Sequence, residues 1–294
     1  MKLKIFLALA LVLALAFSTQ AAMLHPDKSG DETLQNLIST SAKKFTVKNF
    51  HDEVTGFDLS YNIYLPENYS PEKNFPVVFF IADASAAGKT PEFSVTQGYG
   101  ALVWTEHDAV VIVPTYPEII LDDHNGFKTT DYVELTARFV RHSIKNYKLN
   151  PQRVYATGQS MGCMTLLLLA AKYPDLFTAC LFVSGQWNIK ELEGLKTVKF
   201  IYAASAGDEK ASKGQSEVIK FFDEAEVPYV AYKNIDAKDP RVFIFPSQYA
   251  NFITFKAGST LPEGIDSSKN FSEHMSSFDY VYKITALREW LLSQ

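Results

Sequence analysis

Ser160 is the residue around which chemistry could be organised. It stands in Gly158-Gln159-Ser160-Met161-Gly162, after Arg153-Val154-Tyr155-Ala156-Thr157 and before Cys163-Met164-Thr165-Leu166-Leu167-Leu168-Leu169-Ala170-Ala171. A short β-branched and aromatic segment, a G-x-S-x-G turn and an apolar helical run make the strand–turn–helix setting of a nucleophile elbow. The turn is too tight for Cβ atoms at its flanks, so glycines sit on either side of the serine. It lifts the hydroxyl clear of the sheet, where a base can reach it. The competing reading is a structural Gly-Ser turn, which would not require both a strand and a helix around it.

A serine hydroxyl alone is a poor nucleophile; it needs a base, and the base needs an orienting carboxylate. On an elbow of this type the partners follow the serine in the order Asp/Glu, then His. Of six histidines, His25, His51, His107, His124 and His142 precede Ser160, and only His274 follows it. Its setting, Ser272-Glu273-His274-Met275-Ser276-Ser277, reads as a loop just before the final helix. The alternative is a solvent-facing loop histidine or a helix-start residue. Asp208, in Ala204-Ser205-Ala206-Gly207-Asp208-Glu209, is the leading acid because a Gly-Asp pair closes a strand there. Glu209 is its rival, the alternative role for Asp208 is a helix cap or a Gly-Asp turn, and Asp223, Asp236 and Asp239 are less well placed. The oxyanion donors expected are the backbone N–H of Met161, at the helix start, and that of Ala84, with Asp83 as second choice. The Asp83 side chain is expected to bond loop amides.

These residues need a framework. Segments 77–81, 109–113, 153–157, 178–184, 198–203 and 228–232 read as strands, and helices are expected near 97–104, 131–147, 161–172, 212–225 and 278–292. Asp131 and Glu134 have the spacing of a capping box. Strands alternating with helices imply a mostly parallel sheet with helices on both faces. Before it, 45–50 and 57–65 alternate apolar and polar residues around a turn, which predicts an N-terminal antiparallel hairpin. Residues 23–42 read as a polar lead-in, and 43–294 as a single α/β domain. An insertion at about 234–270, with short strands at 241–245 and 251–255, is expected between the last core strand and the final helix. It would be either a flap or an edge ornament.

Residues 1–22 have the pattern of a signal peptide. Lys2 and Lys4 precede an apolar run over 5–17, and small residues follow at 18–22. The run is short for a membrane span, which takes roughly 20 residues, so a secreted or periplasmic location is expected. Loss of Lys2 and Lys4 takes the formal charge from −5 to −7. With no basic cluster left, a nucleic-acid partner is excluded as the main ligand. At 47% hydrophobic residues the chain can bury a full core. Cys163 and Cys180 fall at opposite ends of a strand–helix–strand unit, too far apart to bridge, and read as small buried apolar residues. Asp122-Asp123-His124 resembles a metal cluster only in composition; no metal and no cofactor is expected. Trp187 and Tyr116 should emerge at carboxyl ends of strands, where α/β sheets bind ligands, either walling a substrate pocket or packing in the core.

On these residues the segment 76–294 resembles an α/β-hydrolase of the esterase type. It is similar to the feruloyl-esterase and polyhydroxybutyrate-depolymerase group and to prolyl-oligopeptidase-like serine hydrolases. Val154 through Gly162, Lys172-Tyr173-Pro174-Asp175-Leu176-Phe177 and the ending Trp290-Leu291-Leu292-Ser293-Gln294 carry the likeness. Gly207-Asp208 and His274 match positions where the group keeps its acid and base. Two departures stand out: Ala82-Asp83 occupies a place where many relatives have His-Gly, and Cys163 replaces a common glycine. The resemblance implies hydrolysis of a small-molecule or polymer-borne carboxylic ester through an acyl-enzyme. Alternatives are a serine peptidase and, given Ala82-Asp83, a non-catalytic binding protein on a hydrolase scaffold. Nothing in the chain specifies an oligomeric state.

Overall fold

The structure, a computed structural model, describes residues 26–124, 126–239, 245, 250–262 and 272–294. The leader expected at 1–22 lies outside these residues, as do 241–244 of the expected insertion. In chain order the elements are α1 (Glu32–Ser41), β1 (Thr46–Asp52), β2 (Phe57–Tyr64), β3 (Val77–Ile81), α2 (Pro91–Thr96), α3 (Tyr99–Leu102) and β4 (Val110–Thr115). A small hairpin of β5 (Leu121–Asp122) and β6 (Lys128–Thr129) leads into α4 (Asp131–Asn146), β7 (Val154–Gln159), α5 (Met161–Lys172) and β8 (Ala179–Val183). The chain ends with β9 (Phe200–Ser205), α6 (Glu209–Glu224), β10 (Tyr229–Ile235), β11 (Ala250–Phe255), α7 (Glu273–Lys283) and α8 (Thr285–Leu292).

Nine strands form one sheet in the order β1-β2-β4-β3-β7-β8-β9-β11-β10. The pairs β1/β2 and β2/β4 are antiparallel, and every other neighbouring pair is parallel. The central strands β3, β4, β7, β8 and β9 are buried along their whole length, as continuous apolar runs covered on both faces should be. One face packs against α4, α5 and α6 through residues such as Phe79, Ile112, Ala156, Phe139, Leu167 and Phe222. The other packs against α1, α2, α3, α7 and α8 through Phe80, Val111, Tyr155, Trp104, Phe278 and Leu291. Met161 through Ala171 of α5 are all buried, which explains a helix that is apolar all round.

Four local expectations are corrected. The stretch 23–42 is not simply a tether: α1 buries Leu34 and Leu37 and is capped by Asp31. The Asp31 carboxylate also accepts from Tyr99 Oη at 2.7 Å and Lys283 Nζ at 2.8 Å. Its burial works against ionisation, but these donors prevail and hold its pKa at about 2. The strand expected near 251–255 is no ornament. It is β11, inserted between β9 and β10 with Ala250 opposite Phe200 and Phe252 opposite Tyr202, because Phe252, Ile253 and Phe255 have apolar partners on both faces. The final helix is two helices, broken at the extended Ile284. Glu134 makes no capping box; Thr130 caps α4 through Tyr132 N, while Glu134 accepts from Lys172 Nζ at 2.7 Å and Tyr173 Oη at 2.6 Å.

Candidate active site

Parallel register brings the site together. Ile81 lies opposite Gly158, so β3 and β7 end side by side and the chain beyond each turns at the same margin of the sheet. Ser160 follows with φ 51° and ψ −116°, a strained conformation for a residue with a side chain. The flanking glycines are compulsory. A Cβ on Gly162 would lie 1.9 Å from the Ile81 carbonyl oxygen, and one on Gly158 would lie 2.6 Å from the Gly162 backbone. The elbow is thus wedged against the end of β3.

The end of β8 and the loop after it support it from the other side. Ser160 N donates to Val183 O at 3.0 Å, and a Cβ on Gly185 would lie 2.7 Å from both Ser160 O and Cys163 Cβ. Tyr202 Oη donates to Gly185 O from beneath, and burial pushes that phenol well above its ordinary pKa, keeping it a neutral donor. Cys163 packs directly on Gly185. Cys163 and Cys180 are both buried and unbridged, and burial raises both thiols far out of the nucleophilic range.

Ser160, His274 and Asp208 are joined by hydrogen bonds. Ser160 Oγ lies 2.7 Å from His274 Nε2, and His274 Nδ1 lies 2.5 Å from Asp208 Oδ2. His274 is not on a loop but in the first turn of α7, where Ser272 Oγ accepts from its N–H at 3.2 Å. Its ring meets Phe278, one helical turn later, edge to face at 5.2 Å. Asp208 makes both of the contacts weighed for it. While Oδ2 faces the imidazole, Oδ1 caps α6 by accepting from Ala211 N at 3.2 Å. The rival Glu209 is the first residue of α6. Asp208 is 6% exposed and the His274 side chain 27%, so the imidazole is open to solvent while the carboxylate is not.

The loop after β3 starts beside the elbow. A Cβ on Gly162 would also fall 2.9 Å from Ala82 O. Asp83 opens a single 3-10 turn over Ala84–Ala86 and caps it by accepting from Ser85 N at 2.9 Å. Its other oxygen accepts from Gln159 Nε2 at 2.7 Å. That side chain belongs to the variable position of the elbow, and sequence reasoning passed over it. The signal was a long polar side chain at the end of a strand of mainly apolar residues. The bond ties the two halves of the expected oxyanion site together: Met161 begins α5, where backbone N–H groups lack helical partners, and Ala84 begins the 3-10 turn.

The remaining predicted residues are buried. Tyr116 is 3% exposed, with its hydroxyl 2.8 Å from Thr136 Oγ1. Trp187 is 2% exposed and meets Phe127 edge to face at 5.1 Å. Asp122-Asp123-His124 sits on the β5–β6 hairpin, where Asp123 accepts from Gln186 Nε2 at 2.5 Å and Lys210 Nζ at 3.1 Å. It joins the hairpin to the first turn of α6. Among the described residues no group of three or more His, Cys, Asp or Glu could hold a metal ion, and no helix is long and apolar enough to cross a membrane.

The Esterase family profile matches residues 53–216. Acetylxylan esterase A of Aspergillus ficuum is 25% identical over 187 residues, covering 59% of this chain and 55% of that protein. The chain spans about half the length of the curated relatives it matches. Among solved structures, a thermostable esterase superposes with a TM-score of 0.68 at 19% identity, over 86% of this chain and 64% of that one. A ferulic acid esterase superposes with a TM-score of 0.56 at 13% identity, over 84% and 98%. At such identities the likeness establishes the α/β-hydrolase fold alone.

Proposed function

The chain belongs to the Esterase family, and from that membership and the site geometry we propose that it is a serine hydrolase that cleaves carboxylic esters through an acyl-enzyme. The observation that carries this reading is the run of hydrogen bonds from Ser160 through His274 to Asp208, at 2.7 and 2.5 Å. His274 Nε2 takes the proton as Ser160 Oγ attacks the ester carbonyl, then returns it to the departing alcohol. Asp208, already bonded to Nδ1, holds the ring in the productive tautomer and stabilises the imidazolium. The N–H groups of Met161 and Ala84 receive the oxyanion of the tetrahedral intermediate. Water, activated by the same histidine, releases the acid.

Trp187 and Tyr116 back the substrate pocket, held by Phe127 and Thr136. The acetylxylan esterases among the relatives favour a short acyl group on an alcohol carried by a larger molecule. Export follows from the leader at 1–22. The test is turnover of short p-nitrophenyl esters, expected in the wild type and reduced by at least about a thousandfold in Ser160→Ala. Turnover unchanged by that substitution would sink the assignment. A parallel panel of peptide amides should give much slower cleavage, and a fluorophosphonate probe should label the wild type but not Ser160→Ala.

A further inference from the structure

We propose that Glu273 is a positioning residue for the Ser160–His274–Asp208 assembly, locking the helix turn that carries the base against the turn that carries the acid. The inference rests on the triad reading above. Glu273 opens α7 directly before His274 and is 9% exposed. Oε2 accepts from Ser205 Oγ at 2.6 Å and Thr260 Oγ1 at 2.9 Å, and Oε1 accepts from Gly258 N at 2.8 Å. Those donors belong to the end of β9 and to the loop after β11. One carboxylate therefore joins three separate segments of the chain.

Its link to Asp208 is equally direct. Ser205 Oγ, the group that donates to Glu273, also accepts from Gly207 N at 3.3 Å, and Ser205 O accepts from Asp208 N at 3.0 Å. A Cβ on Gly207 would lie 1.7 Å from Glu273 Oε1. The Gly207-Asp208 pair thus needs its glycine because the turn rests on this carboxylate. Glu273 sits in the first turn of α7, where a negative charge is favoured by the helix dipole. With two hydroxyls and an amide bound to its oxygens it has no role as a base itself. Its work is geometric: it fixes the relative placement of His274 and Asp208, on which proton transfer depends.

A residue that only stabilises the fold would alter thermal stability and leave kcat per folded molecule unchanged, so the test separates the two. Using the full chain and p-nitrophenyl acetate, Glu273→Ala should lower kcat by roughly ten- to a hundredfold with KM within about threefold. Glu273→Gln, which can still accept from Gly258 and donate to hydroxyls, should recover kcat to within about fivefold of wild type. Thr260→Val, which removes one donor, should lower kcat about two- to fivefold. Fluorophosphonate labelling rates should follow the same order. Asp52→Asn, remote from the site, serves as the destabilised control and should keep kcat. Wild-type kcat and labelling in folded Glu273→Ala would overturn the proposal. Should that variant not fold, wild-type kcat in both Glu273→Gln and Thr260→Val overturns it, as does an equal loss of kcat in the Asp52→Asn control. Failure of the triad reading has a different signature: an unlabelled wild type, or turnover retained in Ser160→Ala, whatever the Glu273 variants do, and it removes this proposal too.

Discussion

Asp52 and Asp208 are both buried carboxylates, 2% and 6% exposed, yet they are held by different kinds of group. Asp52 ends β1 and receives Arg138 Nε and Nη2 at 2.7 Å each, together with Thr55 N and Oγ1. The guanidinium beside it, opposed by burial and helped by Thr55, keeps the carboxyl well below the usual carboxylate range. Asp208 meets a backbone amide and an imidazole, and Glu273 meets an amide and two hydroxyls. A fixed cation cancels the charge it binds. Neutral donors hold a carboxylate in place and leave its charge to act on a neighbour, as the imidazolium formed at His274 requires. The hairpin carboxylate pairs with a cation, and on the proposed reading Asp208 and Glu273 arrange a proton path.

Exchanging one oxygen for an amide at each position tests this contrast, and Asp208→Asn should have the largest effect. An asparagine still caps α6 but donates to Nδ1, selecting the wrong tautomer, so kcat for p-nitrophenyl acetate should fall by about 10⁴-fold. Its melting temperature should stay close to that of the wild type. A variant that melts far earlier, with normal kcat, would reverse the contrast.

Gly162→Ala comes next. It forces a methyl to 1.9 Å from the Ile81 carbonyl, and because backbone cannot step aside as a side chain can, about 3 kcal/mol of stability should be lost. Urea unfolding provides the measure, and an unchanged midpoint would show that the elbow is not wedged.

Asp52→Asn should cost about 2 kcal/mol, less than a fully buried pair because Arg138 is partly exposed, with kcat unchanged. Its pH dependence carries the sign. The folded-state pKa is depressed, so the stabilisation is complete above the unfolded carboxyl pKa of about 4 and is lost as pH falls through the folded value. Unfolding free energy measured from pH 6 down to pH 3 should therefore drop more steeply in the wild type than in Asp52→Asn. Parallel curves would show that the ion pair carries no net stability.

Lys210→Ala should be the mildest of the four. The Lys210–Asp123 pair spans 3.1 Å with the lysine side chain 54% exposed, and an exposed pair contributes about 0–1 kcal/mol. Calorimetry should find a shift of only a few degrees at most. A larger loss would mean that the β5–β6 hairpin depends on this pair.

The strand–turn–helix around Ser160 was legible because its determinants are local: two glycines, a short strand and an apolar helix within about twenty residues. The hairpin was legible for the same reason, and its observed register runs from Thr46 opposite Ile63 to Asp52 opposite Phe57. The strand at 251–255 was legible but its place was not, since an apolar run does not disclose its neighbours, and the expected flap or ornament proved to be an interior parallel strand. The docking of α1 was hidden too. It depends on Tyr99 and Lys283, which lie far along the chain from Asp31.

By itself the sequence determined the elbow, through local turn sterics, and offered His274 as the one histidine after Ser160; the acid and base roles belong to the proposed reading. It also determined the alternation of strands and helices. Only tertiary structure decided that Asp208 faces the imidazole while capping a helix, that Gln159 reaches Asp83, and that Glu273 spans three segments. Each is a contact between residues more than sixty positions apart or from separate loops. Such contacts exist only once parallel strands have brought their ends to one margin of the sheet, and no local pattern encodes which ends will meet.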